Sequence, residues 1–257
     1  MKMFKELYNY RELLKNNIKK EIRGKYKGSW LGVVWTFLNP LLMLLVYSIV
    51  FPYILRVKVD HYPIFMMIAL VPWTFFTTAV QTGTGSVVAE GGILKKVYFP
   101  RVIIPISIVT SALVNFLITC IIMFVFILFS GVGFSIHCLL FPVIVLLQYI
   151  ITLAIVYVLS AINVYIRDVD HFVSIIIMLA FYLTPIVYKA DMLPAKFQWA
   201  LKVNPMAQII EAYRAIFYNH TIPDMNMLLI WGVIGIIMLV LGNLVFRKLE
   251  KGFVEEF

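Results

Sequence analysis

The side chains that could carry acid–base or metal chemistry are dispersed along this sequence. His61, His137, His171 and His220 sit in four separate stretches, and none has the partnering carboxylate that a catalytic dyad or metal site requires. The nearest approach to a cluster is Arg167, Asp168, Asp170 and His171. Adjacent opposite charges there read as a salt bridge, Arg167 to Asp168, that holds a tight turn. Cys120 and Cys138 lack CxxC or Cys/His company and read as small apolar packing residues. No GxxxxGK[ST] element is present, so the chain does not bind ATP by that route, and no filter of the potassium-channel type occurs. The expectation is a chain with no catalytic residues, metal or cofactor of its own.

Two other groups of residues are better placed to act. Arg23, Lys25 and Lys27 form a short cationic run just before Trp30. The aromatics Trp30, Trp35, Phe37, Tyr47, Trp73, Phe75 and Phe76 lie close together in the chain. Trp30 fits an interfacial belt. Trp35, Phe37 and Tyr47 fall deeper, where they either pack in a core or line a path. Aromatic faces stack on the C–H faces of sugar rings without fixing any one sugar, which suits a conduit for a sliding polymer.

The elements that must position these residues are membrane helices. Of 257 residues 62% are hydrophobic and 14% charged, with mean hydropathy +0.94, far from the composition of soluble domains. Six apolar runs read as spans: Trp30 to Leu55, Tyr62 to Gln81, Val102 to Ser130, Leu139 to Ile166, Phe172 to Tyr188 and Met225 to Phe246. Thr184-Pro185 predicts a bent or broken end to the fifth. Asp60, Glu90, Asp168, Asp170, Asp191, Glu211 and Asp224 all fall between spans, and no span centre holds Lys or Arg, which argues against ion-coupled transport. The net charge of +9 flanks the apolar runs, so it reads as membrane topology and not nucleic-acid binding.

Sixteen Lys and Arg lie before the first span, between 82 and 101, at Arg167 and after the last, against six in the alternate segments. That bias predicts cytoplasmic termini. No cleavable leader is read at the start, where Phe4, Leu7, Leu14, Ile18 and Ile22 make one stripe of an interfacial helix; a basic leader that only sets topology is the alternative. The polar stretch TGTGSVVAEGGILKKVYFPR is divided by Gly91-Gly92, and its second piece either lies on the membrane surface or is an ordinary loop. Beyond the fifth span, Asn204 is a good N-cap and Pro205 a good first residue for a helix whose Met206, Ile209, Ile210, Tyr213, Ile216 and Phe217 share one face. Too short to cross, that helix either re-enters the bilayer as a hairpin or lies on its surface.

Read in order, RGKYKGSWLGVVWTFLNPLL (23–42), KKVYFPRVIIP (95–105), NVYIRDVDHF (163–172), TPIVY (184–188) and NPM (204–206) resemble the permease subunits of ABC-2 type polysaccharide exporters, those for O-antigen, teichoic acid and related cell-envelope glycans. The resemblance spans almost the whole chain. It implies one all-α transmembrane domain over 1–257: an amphipathic interface helix in 1–29, a six-span bundle in 30–246 with a re-entrant extracytoplasmic hairpin before the last span, and a cytoplasmic tail in 247–257. It further implies a homodimer in the bacterial cytoplasmic membrane, joined to two separate ATPase subunits that hold the ATP and Mg.

By that resemblance the piece from Thr84 to Lys96, with Ser86, Glu90, Lys95 and Lys96, is a coupling helix on the ATPase, and Asn204, Pro205, Glu211 and Arg214 belong to an outer gate. Trp30, Trp35, Phe37, Tyr47, Trp73 and Phe76 would face the glycan. Arg23, Lys25 and Lys27 would meet the pyrophosphate of an undecaprenyl-linked substrate, or else only anchor topology. Asp168 has ATPase contact as its second reading. The competing functions are a permease for drugs or small lipids and a membrane enzyme acting on polyprenyl-linked sugars.

Overall fold

The computed structural model describes residues 8–26, 34–51, 59–95, 99–253 and 255–256, with Lys25, Tyr26, Thr36, Phe37, Asn39 and Pro40 described by backbone alone. The described residues are helical with no strand. In chain order the α-helices are α1 (Arg11–Tyr26), α2 (Trp35–Ile49), α3 (Tyr62–Ala89), α4 (Gly91–Leu94), α5 (Ile103–Phe129), α6 (Phe141–Tyr165), α7 (Val169–Leu183), α8 (Gln198–Val203), α9 (Pro205–Phe217) and α10 (Met225–Leu249). Among the described residues four helical stretches are long and apolar enough to cross a membrane: Tyr62–Ala89, Ile103–Phe129, Ile136–Tyr165 and Met225–Gly252. Helices α2 and α7 have 15 residues each, less than the roughly 20 that a straight crossing needs.

Helix α3 is the centre of the bundle. Eighteen of its 28 residues are buried, and α2, α5, α6, α7 and α9 all pack on it. The most extensive pairing is α6 with α10, where small residues allow close approach. A Cβ on Gly242 would lie 2.8 Å from the Ala154 carbonyl oxygen, and one on Gly83 would lie 2.5 Å from a Val156 methyl. Both glycines thus seat a neighbouring helix against α6. By contrast, α7 buries only Val173 and Ile177, and α10 turns Leu229, Val233, Ile236, Ile237, Val240 and Leu244 outward. Apolar residues exposed along whole helices are what lipid or another apolar surface solvates.

The boundary expected at Gln81 is not there. Helix α3 runs on to Ala89, so Thr84 to Ala89 continue the second span and only Gly91–Leu94 form a separate short helix. Hydroxyl groups at the polar end satisfy themselves on the preceding turn: Thr82 donates to the Thr78 carbonyl at 2.6 Å, Thr84 to Val80 at 2.8 Å and Ser86 to Gly83 at 2.7 Å. A polar composition is therefore compatible with unbroken helix.

The two ends of the bundle are distinct. At one end gather α1, α4, the α6–α7 turn and the C-terminus; at the other gather α8 and α9 with the ends of α3 and α7. The C-terminal residues are docked and not a loose tail. Phe253 is fully buried against Phe246 and Tyr165, the Tyr165 hydroxyl donates to the Leu249 carbonyl at 2.7 Å, and Arg101 donates to the Glu250 carbonyl.

Candidate functional site

At the α9 end, irregular backbone is held by side chains from three elements. The segment after α7, TPIVY, leaves the helix at Thr184, and its polar groups need partners elsewhere. Asn204 caps α9, its Oδ1 accepting from the amides of Met206 at 3.0 Å and Ala207 at 3.2 Å, while its Nδ2 donates to Thr184 Oγ1 at 2.9 Å. The Tyr62 hydroxyl donates to the Val187 carbonyl at 3.0 Å. Arg214, only 1% exposed, donates to the carbonyls of Pro185 and Ile186. It also pairs with Glu211 at 2.9 Å, and its guanidinium lies 3.5 Å from the centre of the Phe65 ring. The cap at Asn204 was readable from sequence; the burial of Arg214 was not, because the carbonyls of Pro185 and Ile186 lie 29 and 28 residues earlier in the chain and Phe65 lies on another helix.

Helix α9 is a packed part of the bundle. Ten of its thirteen residues are buried, and Tyr213 and Phe217 enter an aromatic cluster with Phe116, Phe124 and Phe141. Gln148, fully buried on α6, donates to the Pro72 carbonyl at 2.8 Å and accepts from the Tyr213 hydroxyl at 3.1 Å. One amide thereby links α3, α6 and α9, close to where Pro72 takes an N–H out of the α3 ladder. Gln148 had no signal in the sequence beyond being a lone amide in an apolar run.

At the opposite end α1 lies against α5, with Leu13 and Leu14 against the core. Of the expected stripe Leu14 packs on protein and Ile18 and Ile22 are half-buried, while Phe4 and Leu7 lie outside the described residues. Lys20 on α1 pairs with Glu90 at the α3–α4 junction, N to O 2.5 Å. Burial, opposed by Lys20 and reinforced by Glu90, raises the Glu21 carboxyl above its ordinary value of 4.5. Of the other expected coupling residues, Ser86 is buried and bonded within α3, Lys95 is exposed, and Lys96 lies outside the described residues. Arg23 is exposed; Lys27, Trp30 and the side chain of Lys25 lie outside the described residues. Among the described residues Arg167 and Asp168 form no ion pair. Both are exposed, and Asp168 serves instead as the residue before α7. Water on both sides leaves little to gain from pairing them.

The aromatics separate into two kinds. Tyr47 and Trp73 meet on Phe181, with Trp73–Phe181 ring centres 6.0 Å apart and Tyr47–Phe181 6.1 Å, and Phe76 packs on Trp73 at 5.7 Å. Trp73 is 5% exposed and so closed off within the protomer, whereas Trp35 is 41% exposed. The Phe37 side chain lies outside the described residues.

Residues 12–218 match the family model for ABC-2 type transporters. The chain is 36% identical to an O-antigen export system permease protein RfbA of Myxococcus xanthus over 99% of both chains. It is 36% identical to a protein of the same name from Klebsiella pneumoniae over 92% of this chain and 91% of that one. The match covers α1, the α3–α4 junction and the Arg214 knot alike, and on this footing the chain belongs to the ABC-2 type transporter family.

Proposed function

We propose that the chain is the transmembrane permease subunit of an ATP-driven exporter that moves a lipid-linked O-antigen or similar envelope glycan out of the cytoplasm. The observation that carries this reading is full-length similarity to permeases named for O-antigen export. In it, two copies form a homodimer in a bacterial cytoplasmic membrane, with both termini cytoplasmic and an undecaprenyl-linked glycan as substrate. Two separate ATPase subunits bind ATP and Mg and dock at the α1 end. Helices α2 and α7 complete six crossings with the four long ones. The segment from Lys189 to Phe217 forms the re-entrant hairpin, supported by the side-chain ties on Thr184 to Val187, since irregular backbone persists at membrane depth only where protein satisfies it.

Force enters at the coupling segment that holds Glu90, Lys95 and Lys96, a role supported by the Lys20–Glu90 pair to α1, and the knot of Asn204, Glu211 and Arg214 forms the outer gate. Deleting the gene tests this. Surface glycan disappears and its lipid-linked precursor accumulates inside; both revert when the permease is supplied, and in a strain that also lacks the partner ATPase only when the two are supplied together. The purified permease alone hydrolyses no ATP. A deletion strain with unchanged surface glycan that instead retains a drug would overturn the glycan reading in favour of a drug permease.

A further inference from the structure

Helices α3 and α5 do not close on each other at the α1 end. Two adjoining cavities, 610 Å³ and 310 Å³, lie between them under α1 and share Lys20, Glu21, Thr82 and Ile108. The outer one is lined by Gln81, Ser86, Glu90, Ser107 and Asp170 among others, and the inner one by Thr78, Ser111 and Asn115. Thr78 lies twelve residues from Glu90, so the furrow runs about 18 Å along α3 at 1.5 Å per residue, into the apolar part of a helix about 42 Å long.

Polar groups at that depth are tolerated only against protein or a water-filled cavity. The outward face of α3 here includes Thr74, Thr78, Gln81, Thr82, Gly85 and Ala89, all half-buried or exposed, where the exposed residues of α10 from Leu229 to Val245 are all aliphatic. The difference marks the α3 face as one that meets something other than lipid.

The chemistry of the lining narrows what that is. Thr82 and Ser111 donate to carbonyls of their own helices, which leaves their oxygen lone pairs turned to the furrow. Thr78 and Gln81 make no side-chain hydrogen bond among the described residues. Beyond Lys20 and Glu21, which line both cavities from α1, the inner furrow offers only uncharged hydroxyl and amide groups among its polar side chains. At its mouth Lys20 is engaged by Glu90, while Glu21 and Asp170 add negative charge, which disfavours a phosphate or an anionic lipid headgroup. Uncharged groups that both donate and accept, in a space of ligand size, match a neutral, hydroxyl-rich saccharide.

We infer that this furrow between α3 and α5 is a binding site for the sugar units of the exported glycan, with Thr78, Gln81, Thr82, Ser111 and Asn115 as the residues that contact them. The inference rests on the export reading and assigns the sugar contact to a polar furrow within one protomer, in place of the aromatic set. Helix α1 roofs the site, and the Lys20–Glu90 pair fastens the roof.

Single cysteines test it in the full permease–ATPase complex carrying Cys120→Ala and Cys138→Ala. Thr78→Cys, Thr82→Cys and Ser111→Cys are labelled with a water-soluble maleimide, with Ile237→Cys on the aliphatic face of α10 as the reference. The probes are undecaprenyl diphosphate bearing one N-acetylhexosamine and the same lipid without sugar. Labelling of the three furrow cysteines several-fold faster than Ile237→Cys, slowed several-fold by the sugar-bearing lipid alone, is the expected result. Furrow cysteines as unreactive as Ile237→Cys would overturn the site as a hydrated space. Equal protection by both lipids would overturn it as a sugar site, and protection that follows dimer formation without any probe would make the face a subunit contact instead. Failure of the export reading shows separately, as unchanged surface glycan in the deletion strain.

Discussion

Arg214 illustrates how one side chain can hold a segment that has no regular structure. Its guanidinium serves two backbone carbonyls, one carboxylate and an aromatic face at once, and a planar fork with fixed donors does this where an ammonium cannot. Arg214→Met leaves the Pro185 and Ile186 carbonyls and the Glu211 carboxylate without their donor. A loss on the order of 3 kcal/mol follows. Thermal unfolding of the purified permease reads it, and Arg214→Lys recovers only part.

Asn204 separates two jobs in the same way. Asn204→Asp keeps the acceptor that caps α9 and loses the donor to Thr184, whereas Asn204→Ala loses both and costs about 1 kcal/mol more for the cap.

Glu21 sits at the other end with a different sensitivity. Its raised carboxyl faces Lys20, Glu90 and Asp170 around the furrow mouth, and the docked state holds the proton more tightly than a released α1 would. Docking is therefore strongest in acid and weakens as pH climbs from 4.5 towards the raised value. Hydrogen exchange over residues 11–26, corrected for intrinsic rates, shows protection falling over that interval in the wild type and staying flat in Glu21→Gln.

At the scale of elements, the tightest helix approaches give opposite predictions for the same substitution. A methyl at Gly83 meets a Val156 side chain; a methyl at Gly242 meets the Ala154 backbone. Each overpacks its crossing by about 1–3 kcal/mol. Adding Val156→Ala to Gly83→Ala relieves the first, so the double variant unfolds later than additivity predicts, while no side-chain change rescues Gly242→Ala.

The same scale shows what was legible in the sequence. The four long spans follow from apolar length, and the α9 cap from Asn204-Pro205, because these depend on neighbours in the chain. The end of α3 did not, since the run Thr82 to Ser86 of hydroxyl residues and glycines looks like a loop until its hydroxyls are seen to bond back within the helix. The docked C-terminus escaped for a related reason: Phe253 reads as a lone aromatic in a charged tail, and its pocket is made by Tyr165 and Phe246 from elsewhere. The furrow was hidden too, because it exists only where a polar face of α3 meets Ser107, Ser111 and Asn115 of α5.

For the whole molecule, the proposed export reading has an ATPase act at the α1 end and a gate open at the Arg214 knot, and α3 is the element that touches both. Its first turn contributes Tyr62 and Phe65 to the knot around Arg214, and its last turn ends at Glu90 beside α1. On the export reading proposed above, a helix of 28 residues that moves as one body would carry a displacement of Glu90 by a docked ATPase to Tyr62. The Lys20–Glu90 pair is half in water, with Lys20 56% and Glu90 24% exposed, and such pairs stabilise a fold by about 1 kcal/mol or less. Its removal therefore leaves unfolding temperature nearly unchanged. If α1 and the α3–α4 junction move as one body, its removal still uncouples hydrolysis from export. Lys20→Glu places two carboxylates together and lowers glycan export per ATP hydrolysed in reconstituted complexes. Lys20→Glu with Glu90→Lys restores the pair in reverse and recovers the ratio. Equal export per ATP in the single and double variants would sever α1 from the coupling path and leave the pair as a surface contact alone.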